Sequence, residues 1–394
     1  MNENDIVIVG ASRTPFGKFG GAYLHTSAVE LGALAIANTL SSIRLAPEHV
    51  THVWMGTMYT GGLGQAPARQ AAYRAGIPKE AIVVGIDKAC CSSTEALVQG
   101  MRALRAGEAE IVVCGGMENM SRVPFLQKNV RWGNRMGDVV FSDYLLEGLT
   151  WPETQAHMGV ISERSARRWN ISREEQDELA CESQRRWKQA WESGFFSHEL
   201  FAVTVNKGNK EEVIRCDEHP RPQTTKEALA ALKPSFTPDG EVTAGNSSGI
   251  CDGAAAIVIM TRKTAGEYGL KPLATIRGYA QVGGSPEDMP STPAWAISRL
   301  LAAHRMQIGD IDLFEINEAF AAVTLVSMKE LGIEYDKTNV NGGAISIGHP
   351  VSVSGARLVM TLMYELRRSG LNLGIAALCA AGAQGDAILI EIEE

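Results

Sequence analysis

The amino-acid sequence predicts an α/β fold made of two duplicated halves, with mixed sheets covered by helices. Three observations support this prediction. Short apolar runs alternate with helical stretches along the first part of the chain. Forty glycines in 394 residues suit the many tight strand-to-helix turns of such a fold. One turn–helix–strand pattern also occurs twice, starting at Cys90 and again at His349.

The first part of the chain has the rhythm of strands and helices that belong to one sheet. Short apolar runs are typical of buried strands, and the longer stretches between them are typical of covering helices. In order, the predicted elements are a strand at Ile6–Val9, a helix at Ala28–Leu40, a strand at His52–Met55, a helix at Ala66–Ala75, a strand at Ile82–Ile86, a helix at Ser93–Leu104 and a strand at Ile111–Cys114.

The middle of the chain has a different texture, with longer charged helices, tryptophans and proline turns. Ile161–Arg186 is amphipathic, and its Ile171-Ser-Arg-Glu-Glu stretch carries an N-cap serine with acidic residues after it. Ala254–Met260 then predicts a core strand that returns to the first half. We expect an N-terminal half from residues 1–118 and 246–270, an inserted loop domain from residues 119–245, and a C-terminal half from residues 271–394.

Two segments of the chain repeat the same order of features. The segments that begin at Cys90 and at His349 each contain a turn of small residues, a helix ending at glycine, and a buried strand running into a glycine-containing loop. Such self-similarity suggests two related halves packed together. Two helix N-termini would then face one crevice, with Cys90 at one and His349 at the other, and their unpaired N–H groups would stabilise a thiolate or an oxyanion.

Composition argues against several classes of function. The formal net charge of −8 disfavours general nucleic-acid binding. No uninterrupted apolar run approaches the roughly 18 residues that span a bilayer, so no membrane segment is expected. The N-terminus lacks the basic start and apolar stretch of a secretory signal. Seven cysteines without metal-ligand spacing fit a reducing cytoplasm, and argue against a disulfide framework or a zinc site.

Four polar turns are candidates for chemistry, and each alone is weak evidence. They are Cys90-Cys91-Ser92, Asn317-Glu-Ala-Phe, Gly348-His-Pro and Cys379-Ala-Ala-Gly. A single cysteine is usually a packing residue, and a single histidine is usually a hydrogen-bonded core or surface group. The adjacent Cys90 and Cys91 could form a vicinal disulfide, bind a metal as a pair, or be a catalytic thiol beside an inert neighbour.

Together, in a duplicated α/β chain, these turns resemble those of thiolases, the coenzyme A acetyltransferase family. The resemblance covers nearly the whole chain, and so many matches in the right order are very specific. It implies the thiolase fold, a layered α/β/α/β/α arrangement of the two halves with an inserted loop domain. The matching stretches are Arg13-Thr-Pro-Phe-Gly-Lys-Phe-Gly-Gly, Gly64-Gln-Ala-Pro-Ala-Arg-Gln-Ala, Gly115-Gly-Met-Glu-Asn-Met-Ser, Arg131-Trp-Gly-Asn-Arg-Met-Gly-Asp, His157-Met-Gly, Thr243-Ala-Gly-Asn-Ser-Ser-Gly, Asp252-Gly-Ala-Ala-Ala, Asn339-Val-Asn-Gly-Gly-Ala-Ile and Gly348-His-Pro.

The resemblance implies one of the three possible roles for the two adjacent cysteines. Thiolases interconvert a 3-ketoacyl-CoA plus CoA with acetyl-CoA and a shortened acyl-CoA, and their nucleophile lies in an Asn-x-x-Cys-x-Ser-Gly pattern. The stretch from Asp87 to Ser93 aligns with that pattern. Cys90 is then the nucleophile, and Cys91 fills a spacer position. A vicinal disulfide would lock the nucleophile, so we do not expect one in the active form.

The resemblance also gives a role to the other polar turns. His349 would pair with Cys90 and help to form the thiolate. Cys379 would protonate the departing enolate, or remove the α-proton of acetyl-CoA in the condensing direction. His349 and a water held by Asn317 would bind the enolate oxygen. Backbone N–H groups of Cys90 and Ala381 would form a second oxyanion hole for the tetrahedral intermediate.

Five further positions match coenzyme A contacts of the family. His157 and Met158 would lie along the pantetheine, Arg221 near the nucleotide, and Ser248 in the Thr-Ala-Gly-Asn-Ser-Ser-Gly loop, while Phe320 would line the acyl end. The reaction requires no metal and no redox cofactor, since coenzyme A takes part as a substrate.

The expected partners are acyl-CoA, CoA and further copies of the chain, with an accessory subunit as a further option. In thiolases one edge of the core sheet pairs across a dimer, and the Arg131-Trp-Gly-Asn-Arg-Met-Gly-Asp stretch resembles the tetramer-forming loop. Two alternatives to an active thiolase stay open. A ketoacyl-synthase-like condensing enzyme would use Cys-His-His, whereas this chain has Asn317 at the second position. A non-catalytic or partner-dependent CoA-binding subunit would not need all four polar turns.

Several positions depart from the family pattern. Asp87 replaces asparagine and Ser93 replaces glycine around the nucleophile. Ser352 and Val353 are bulkier than the residues that usually follow Gly-His-Pro, and Ala381 replaces glycine after Cys379-Ala. Glycine is used where φ is positive or where a ligand approaches the backbone closely. We therefore expect an intact mechanism with an altered choice of 3-ketoacyl-CoA.

Overall fold

The computed structural model of the protein describes residues 2–208 and 210–392. It is a mixed α/β structure, as the sequence predicts. The strands are β1 (Ile6–Arg13), β2 (Gly17–Lys18), β3 (His52–Gly56), β4 (Ile82–Ile86), β5 (Ile111–Asn119), β6 (Phe125–Leu126), β7 (Ser142–Asp143), β8 (Thr150–Trp151), β9 (Ala156–His157), β10 (Val203–Lys207), β11 (Lys210–Ile214), β12 (Cys251–Thr261), β13 (Ala274–Gly283), β14 (Leu313–Ile316), β15 (Leu373–Ala380) and β16 (Gln384–Ile392).

Helices cover the strands of the main sheet, described below, and form much of the middle segment. They are α1 (Ala28–Ser42), α2 (Pro67–Arg74), α3 (Ser92–Ala106), α4 (Tyr144–Gly148), α5 (Met158–Arg168), α6 (Arg173–Glu192), α7 (Lys226–Ala230), α8 (Arg262–Glu267), α9 (Thr292–His304), α10 (Ala321–Leu331), α11 (Ala344–Ile347) and α12 (Ser354–Ser369). Within the described ranges, none of these helices is both long and apolar enough to cross a membrane.

The main sheet has the strand order β14-β15-β16-β13-β1-β12-β5-β3-β4, with β2 paired to β12 beside it. β3 runs parallel to β4 and β5, and β14 runs parallel to β15, whereas the remaining pairs are antiparallel. The strands of the two halves join through a short contact in which Val7 faces Thr275 and Ile8 faces Ala274. The mixed sheets of the two halves are therefore continuous at one place.

The layered arrangement follows from which helices touch which strands. Helices α3 and α12 touch each other and contact strands of both halves. The core around them combines Met101 of α3, Leu362 of α12 and Ile388 of β16. Helices α1 and α2 cover the outer face of the N-terminal half, and α9, with α10 beside it, covers the outer face of the C-terminal half. The two central helices thus bring their N-terminal turns to one place between the halves.

The amphipathic stretch Ile161–Arg186 contains parts of two helices, and the N-cap serine predicted at Ser172 begins the second of them. Helix α5 ends before Asn170, which has a left-handed φ of 49°. Helix α6 then begins with a capping box, in which the Ser172 hydroxyl accepts from the Glu175 N–H and the Glu175 carboxylate accepts from the Ser172 N–H. Such a box satisfies N–H groups that a helix start leaves without partners.

The strand predicted at Ile111–Cys114 is the first part of the longer β5, which continues through two glycines. A Cβ at Gly115 would collide with the carbonyl oxygen of Ala255, and one at Gly116 would collide with that of Ser352. Neighbouring backbone thus approaches the strand more closely than a side chain allows. The second of these contacts places the loop that precedes α12 directly against β5.

Buried polar contacts fasten the middle segment to both halves. Arg13, at the end of β1, lies 2.7 Å from carboxylate oxygens of Glu199 and of Asp217, and all three side chains are fully buried. On the other side, the Glu318 carboxylate accepts a hydrogen bond of 2.7 Å from the Ser183 hydroxyl of α6. The segment therefore has a fixed position over the crevice between the halves.

Candidate active site

The nucleophile predicted at Cys90 lies in a strained turn at the start of α3. Residues Ala89–Cys91 form one turn of 3₁₀-helix before the helix begins, and Ala89 has a φ of 46°. Left-handed backbone is unfavourable for alanine and persists only where its surroundings hold it. Here Asp87 accepts from the Ala89 N–H at 3.1 Å, and the Ser92 hydroxyl accepts from the Lys88 N–H at 2.9 Å. These contacts keep the half-buried Cys90 turned toward the crevice.

The structure brings His349 against this sulfur. His349 Nε2 lies 3.3 Å from Cys90 Sγ, and its Nδ1 lies 2.6 Å from Ser354 Oγ. Ser354 Oγ also lies 3.2 Å from the Pro350 carbonyl oxygen, to which it can donate. One proton arrangement satisfies all three contacts: the thiol donates to Nε2, Nδ1–H donates to the serine, and the serine donates to the carbonyl. The prediction that His349 lies at a helix N-terminus is wrong, because α12 begins five residues later, and its first residue, Ser354, contacts the imidazole instead.

Burial keeps this pair neutral until substrate arrives. Burial raises the pKa of the Cys90 thiol to about 12, while backbone N–H groups of Ala381 and of Cys90 act in the opposite direction. Burial and the positive charge of Arg357 lower the pKa of His349 to about 3. A neutral imidazole is a proton acceptor, so His349 can take the thiol proton as the sulfur attacks.

Cys379 lies at the end of β15 and faces the same crevice. Its side chain is 1% exposed and lines the same cavity as Cys90. Burial raises the pKa of the Cys379 thiol well above its ordinary value, and negative charge on Cys90 raises it further. Cys379 is therefore protonated whenever Cys90 is a thiolate, which makes it a proton donor. Two residues farther on, the Ala381 N–H points at the Cys90 sulfur, beside the place where a carbonyl bound to that sulfur would lie.

Asn317 follows β14 and lies behind the imidazole. Its Nδ2 is 3.5 Å from His349 Nε2, and its Oδ1 is 3.5 Å from Arg357 Nη2. Arg357 in turn lies 2.8 Å from Glu315, and all of these side chains are buried. This chain of contacts orients the amide group so that its N–H side faces the imidazole. That Asn317 holds a water stays a prediction.

A cavity of about 700 Å³ opens from these groups toward the surface. All five residues predicted to contact coenzyme A line it: His157, Met158, Arg221, Ser248 and Phe320. Their contacts differ. The ring of Phe236 stacks on His157 at 4.9 Å between ring centres and meets Phe320 edge to face at 5.9 Å. Ser248 Oγ donates to the Ala319 carbonyl at 2.9 Å. Arg221 is exposed.

Sequence reasoning left several contributing residues without a role. Ser354 and Arg357 lie within the helix that follows Gly-His-Pro, and the spacing of five residues from His349 to Ser354 was the available signal.

Glu118 is fully buried and accepts from the N–H groups of Met58 at 3.1 Å and Tyr59 at 3.2 Å. Burial raises the pKa of Glu118 to about 7, and its charge reaches Cys90.

An apolar cluster packs against Cys90. It consists of Tyr59, Met120, Leu145 and Val351, with Met58, Val123, Tyr144, Ile250 and Cys90 packed against it. Met58, Met120 and Val351 also line the cavity. The cavity therefore has an aliphatic end beside the nucleophile.

The departures from the family pattern lie in different environments. Ser93 accepts from the Ala356 N–H at 2.9 Å and so joins α3 to α12. Ser352 and Val353 are buried and are not among the residues that line the cavity. Ala381 does line it, and its φ is not positive. Ala381 therefore lines the cavity directly, whereas Ser352 and Val353 belong to a loop of which Val351 lines it.

Within the described part of the chain, no group of three or more histidine, cysteine or carboxylate side chains is arranged to hold a metal ion. All seven cysteines are free thiols in the structure.

Two family models match the chain in sequence order. The model described as "Thiolase, N-terminal domain" matches residues 6–263, and "Thiolase, C-terminal domain" matches residues 270–392. Among curated relatives, an acetyl-CoA acetyltransferase of Cupriavidus necator is 43% identical over 389 residues, which covers 98% of this chain and 99% of the relative. One of Escherichia coli K12 is 44% identical over 387 residues and covers 98% of both chains.

Solved structures agree over the whole length. The crystal structure of the Bacillus anthracis acetyl-CoA acetyltransferase superposes with a TM-score of 0.97 at 40% identity and covers 99% of both chains. The crystal structure of human mitochondrial 3-ketoacyl-CoA thiolase superposes with a TM-score of 0.95 at 39% identity and covers 100% of both.

Proposed function

The chain belongs to the thiolase family and is a coenzyme A acyltransferase, and we propose that it cleaves a 3-ketoacyl-CoA reversibly through an acyl group on Cys90. The observation that carries this proposal is the contact of 3.3 Å between Cys90 Sγ and His349 Nε2 within a cavity that Cys379 also lines. A thiol suits the task because exchange between thioesters is nearly balanced, which keeps the reaction reversible.

In the cleavage direction Cys90 attacks the 3-keto carbonyl while His349 accepts the thiol proton. N–H groups of Cys90 and Ala381 stabilise the oxyanion, each contributing on the order of a few kcal/mol. The carbon–carbon bond then breaks, Cys379 protonates the enolate of acetyl-CoA, and His349 and a water held by Asn317 bind the enolate oxygen. CoA finally attacks the acyl-cysteine while the Cys379 thiolate takes the proton of its thiol, and Cys90 leaves and regains its proton from His349, so that all three groups return to their starting state.

The proposal also covers the coenzyme A contacts, the domain boundaries, and the compartment and partners of the enzyme. The segment 119–245 contains His157, Met158 and Arg221, which supports its role as a loop domain that covers coenzyme A. It is inserted in the N-terminal half, between residues 1–118 and 246–270, and the C-terminal half follows at 271–394. Ser248 and Phe320 complete the binding surface. The enzyme acts in the cytoplasm as a homo-oligomer, uses neither metal nor redox cofactor, and takes acyl-CoA and CoA as its partners. The aliphatic end of the cavity favours an acyl group larger than acetyl.

Intact mass tests the proposal directly. Incubation with acetyl-CoA should add one acetyl group to the wild-type protein, and peptide mapping should place it on Cys90. Cys91→Ala is the matched control, because it alters the adjacent buried thiol and should still be acetylated. Acetylation of Cys90→Ala would contradict Cys90 as the nucleophile, and a wild type that is neither acetylated nor active in thiolysis would favour the non-catalytic CoA-binding subunit. Condensation that survives replacement of Asn317 by histidine would favour the ketoacyl-synthase alternative.

A further inference from the structure

A buried ion pair lies under the nucleophile turn and takes no part in the chemistry described so far. Lys88 Nζ is 2.7 Å from Asp386 Oδ1 and 3.0 Å from Glu95 Oε2. The side chain of Asp386 is 1% exposed, and those of Lys88 and Glu95 are 13% and 15% exposed. None of the three is among the residues that line the cavity.

Each carboxylate oxygen of Asp386 and Glu95 has a hydrogen-bond or ion-pair partner. Asp386 Oδ2 lies 2.7 Å from the Thr94 hydroxyl, and Gln281 Nε2 lies 3.3 Å from Asp386 Oδ1 and within hydrogen-bonding distance of Glu95. Isolated buried ion pairs add little to stability, because the loss of hydration offsets their attraction. A complete buried network instead fixes the relative position of the elements that carry it.

The elements joined here carry the two thiols of the reaction. Lys88 immediately precedes the strained Ala89 and the nucleophile Cys90. Asp386 lies in β16 directly opposite Leu378 of β15, which is the residue before Cys379. The two charged residues are 298 positions apart in the chain, so their contact bridges the N-terminal and the C-terminal half.

We propose that the ion pair between Lys88 and Asp386 is a positioning device that fixes the Cys90 turn relative to the hairpin bearing Cys379. This proposal rests on the proposed function. Neither side chain touches substrate; the pair acts by holding two reacting groups in register. A reaction that uses both thiols needs this register for Cys379 and for the Ala381 N–H, whereas acyl exchange on Cys90 uses only the Ala381 N–H of this hairpin.

Two reactions of the same enzyme, one that uses Cys379 and one that does not, test whether the ion pair acts by positioning. Exchange of acetyl between acetyl-CoA and labelled CoA uses Cys90, His349 and the Ala381 N–H, and thiolysis of 3-ketohexanoyl-CoA also needs Cys379 to protonate the enolate. Lys88→Met and the near-isosteric Asp386→Asn should each lower kcat for thiolysis about 10- to 100-fold, since a misplacement of about 1 Å costs ~100-fold. The exchange rate should fall by a clearly smaller factor than the thiolysis rate, with KM for CoA unchanged, because exchange loses only the alignment of the Ala381 N–H. Lys79→Met, at an exposed lysine nearby, is the control and should change neither reaction.

A double variant separates positioning from folding. Lys88→Met combined with Asp386→Leu leaves neither of the paired charges, so its Tm should recover relative to either single variant. Its ratio of thiolysis to exchange should stay low. Recovery of that ratio together with Tm, equal loss of both reactions in the single variants, or a loss of Tm alone would each refute the proposal. A wild type that performs neither reaction would refute the proposed function, and this proposal with it.

Discussion

At the scale of single residues, the chemistry depends on which of two neighbouring thiols meets the imidazole. Cys90 Sγ faces His349, whereas Cys91 is fully buried and its Sγ lies 3.7 Å from the Leu378 carbonyl oxygen. The difference follows from the direction of the turn at Ala89. The motif order identified Cys90 from the sequence, but the left-handed alanine and the Ser354 contact depend on packing and have no local sequence signal.

Ser354→Ala should lower kcat about 10- to 100-fold with KM for CoA unchanged, because Nδ1–H of His349 then loses its acceptor and the ring loses its preferred tautomer and orientation. Steady-state kinetics of 3-ketoacyl-CoA thiolysis measure this effect. Ser369→Ala, at the exposed last residue of the same helix, is the control. An unchanged kcat in Ser354→Ala would show that the serine does not orient the imidazole.

Glu118→Gln should change the pH dependence of Cys90 alkylation. Glu118, with its pKa raised to about 7, ionises as pH rises from 6 to 8, and its negative charge then opposes the Cys90 thiolate. The wild-type rate should therefore rise less than tenfold per pH unit over this range. In the variant the rate at pH 8 should exceed the wild type by about two- to tenfold, and the two rates should agree at pH 6.

The measurement is iodoacetamide labelling with peptide mapping, because the exposed Cys216 also reacts. Glu80→Gln alters an exposed carboxylate and is the control. Parallel pH profiles for the wild type and Glu118→Gln would contradict the predicted coupling.

At the scale of elements, the sequence located helices and strands well where local signals were strong. The strand predicted at Ile82–Ile86 matches β4, and the helix predicted at Ser93–Leu104 matches α3 within two residues at each end. The Ser-x-x-Glu signal marked the start of α6 at Ser172, whereas the end of α5 has no such signal, because the amphipathic pattern continues across the break. The second half of β5 could not be predicted, since its glycines are explained only by backbone that comes from distant segments.

The two loops with bulkier residues should have separable effects. Ala381 lines the cavity next to the sulfur, whereas Val353 is buried in the central core. Ala381→Gly should raise kcat/KM for acetoacetyl-CoA relative to 3-ketohexanoyl-CoA by about tenfold, the effect of one methyl group next to a substrate. Val353→Ala should leave that ratio unchanged and lower the free energy of unfolding by about 2 kcal/mol through loss of buried surface.

Kinetics on both esters and denaturant unfolding of both variants test these expectations. A changed ester ratio in Val353→Ala, or none in Ala381→Gly, would show that specificity is set elsewhere in the loops.

At the scale of the whole molecule, the site is an assembly of contacts between distant parts of the chain. Cys90 and His349 are 259 positions apart, and local propensity says nothing about such a contact. The internal repeat and the order of motifs predicted that the two turns meet. The contact between Lys88 and Asp386 lies outside those motifs, so only the folded chain reveals it.

Two apolar surfaces are left exposed on the single chain, and each predicts a separate contact between copies. β4 is an edge strand of the main sheet, and its Ile82 and Val84 are 54% and 41% exposed. An exposed apolar edge invites pairing with another strand. In the 125–141 stretch, Trp132 and Met136 are each 92% exposed, with Val140 and Phe141 also exposed. Apolar patches of this kind are costly on an isolated protein and mark interaction sites.

We expect a dimer through β4 and association of two dimers through the 125–141 stretch, so variants at the two surfaces should give different masses by light scattering at micromolar concentration. Trp132→Ala with Met136→Ala should give active dimers, because the cavity is formed within each chain. Ile82→Lys with Val84→Lys places like charges at the paired edge and should give monomers or inactive aggregates.

Val213→Ala, at an exposed valine of β11, is the control and should keep the four-chain mass. A wild type that is a stable, active monomer would contradict both contacts, and a tetramer that survives the first double variant would contradict the role of the 125–141 stretch.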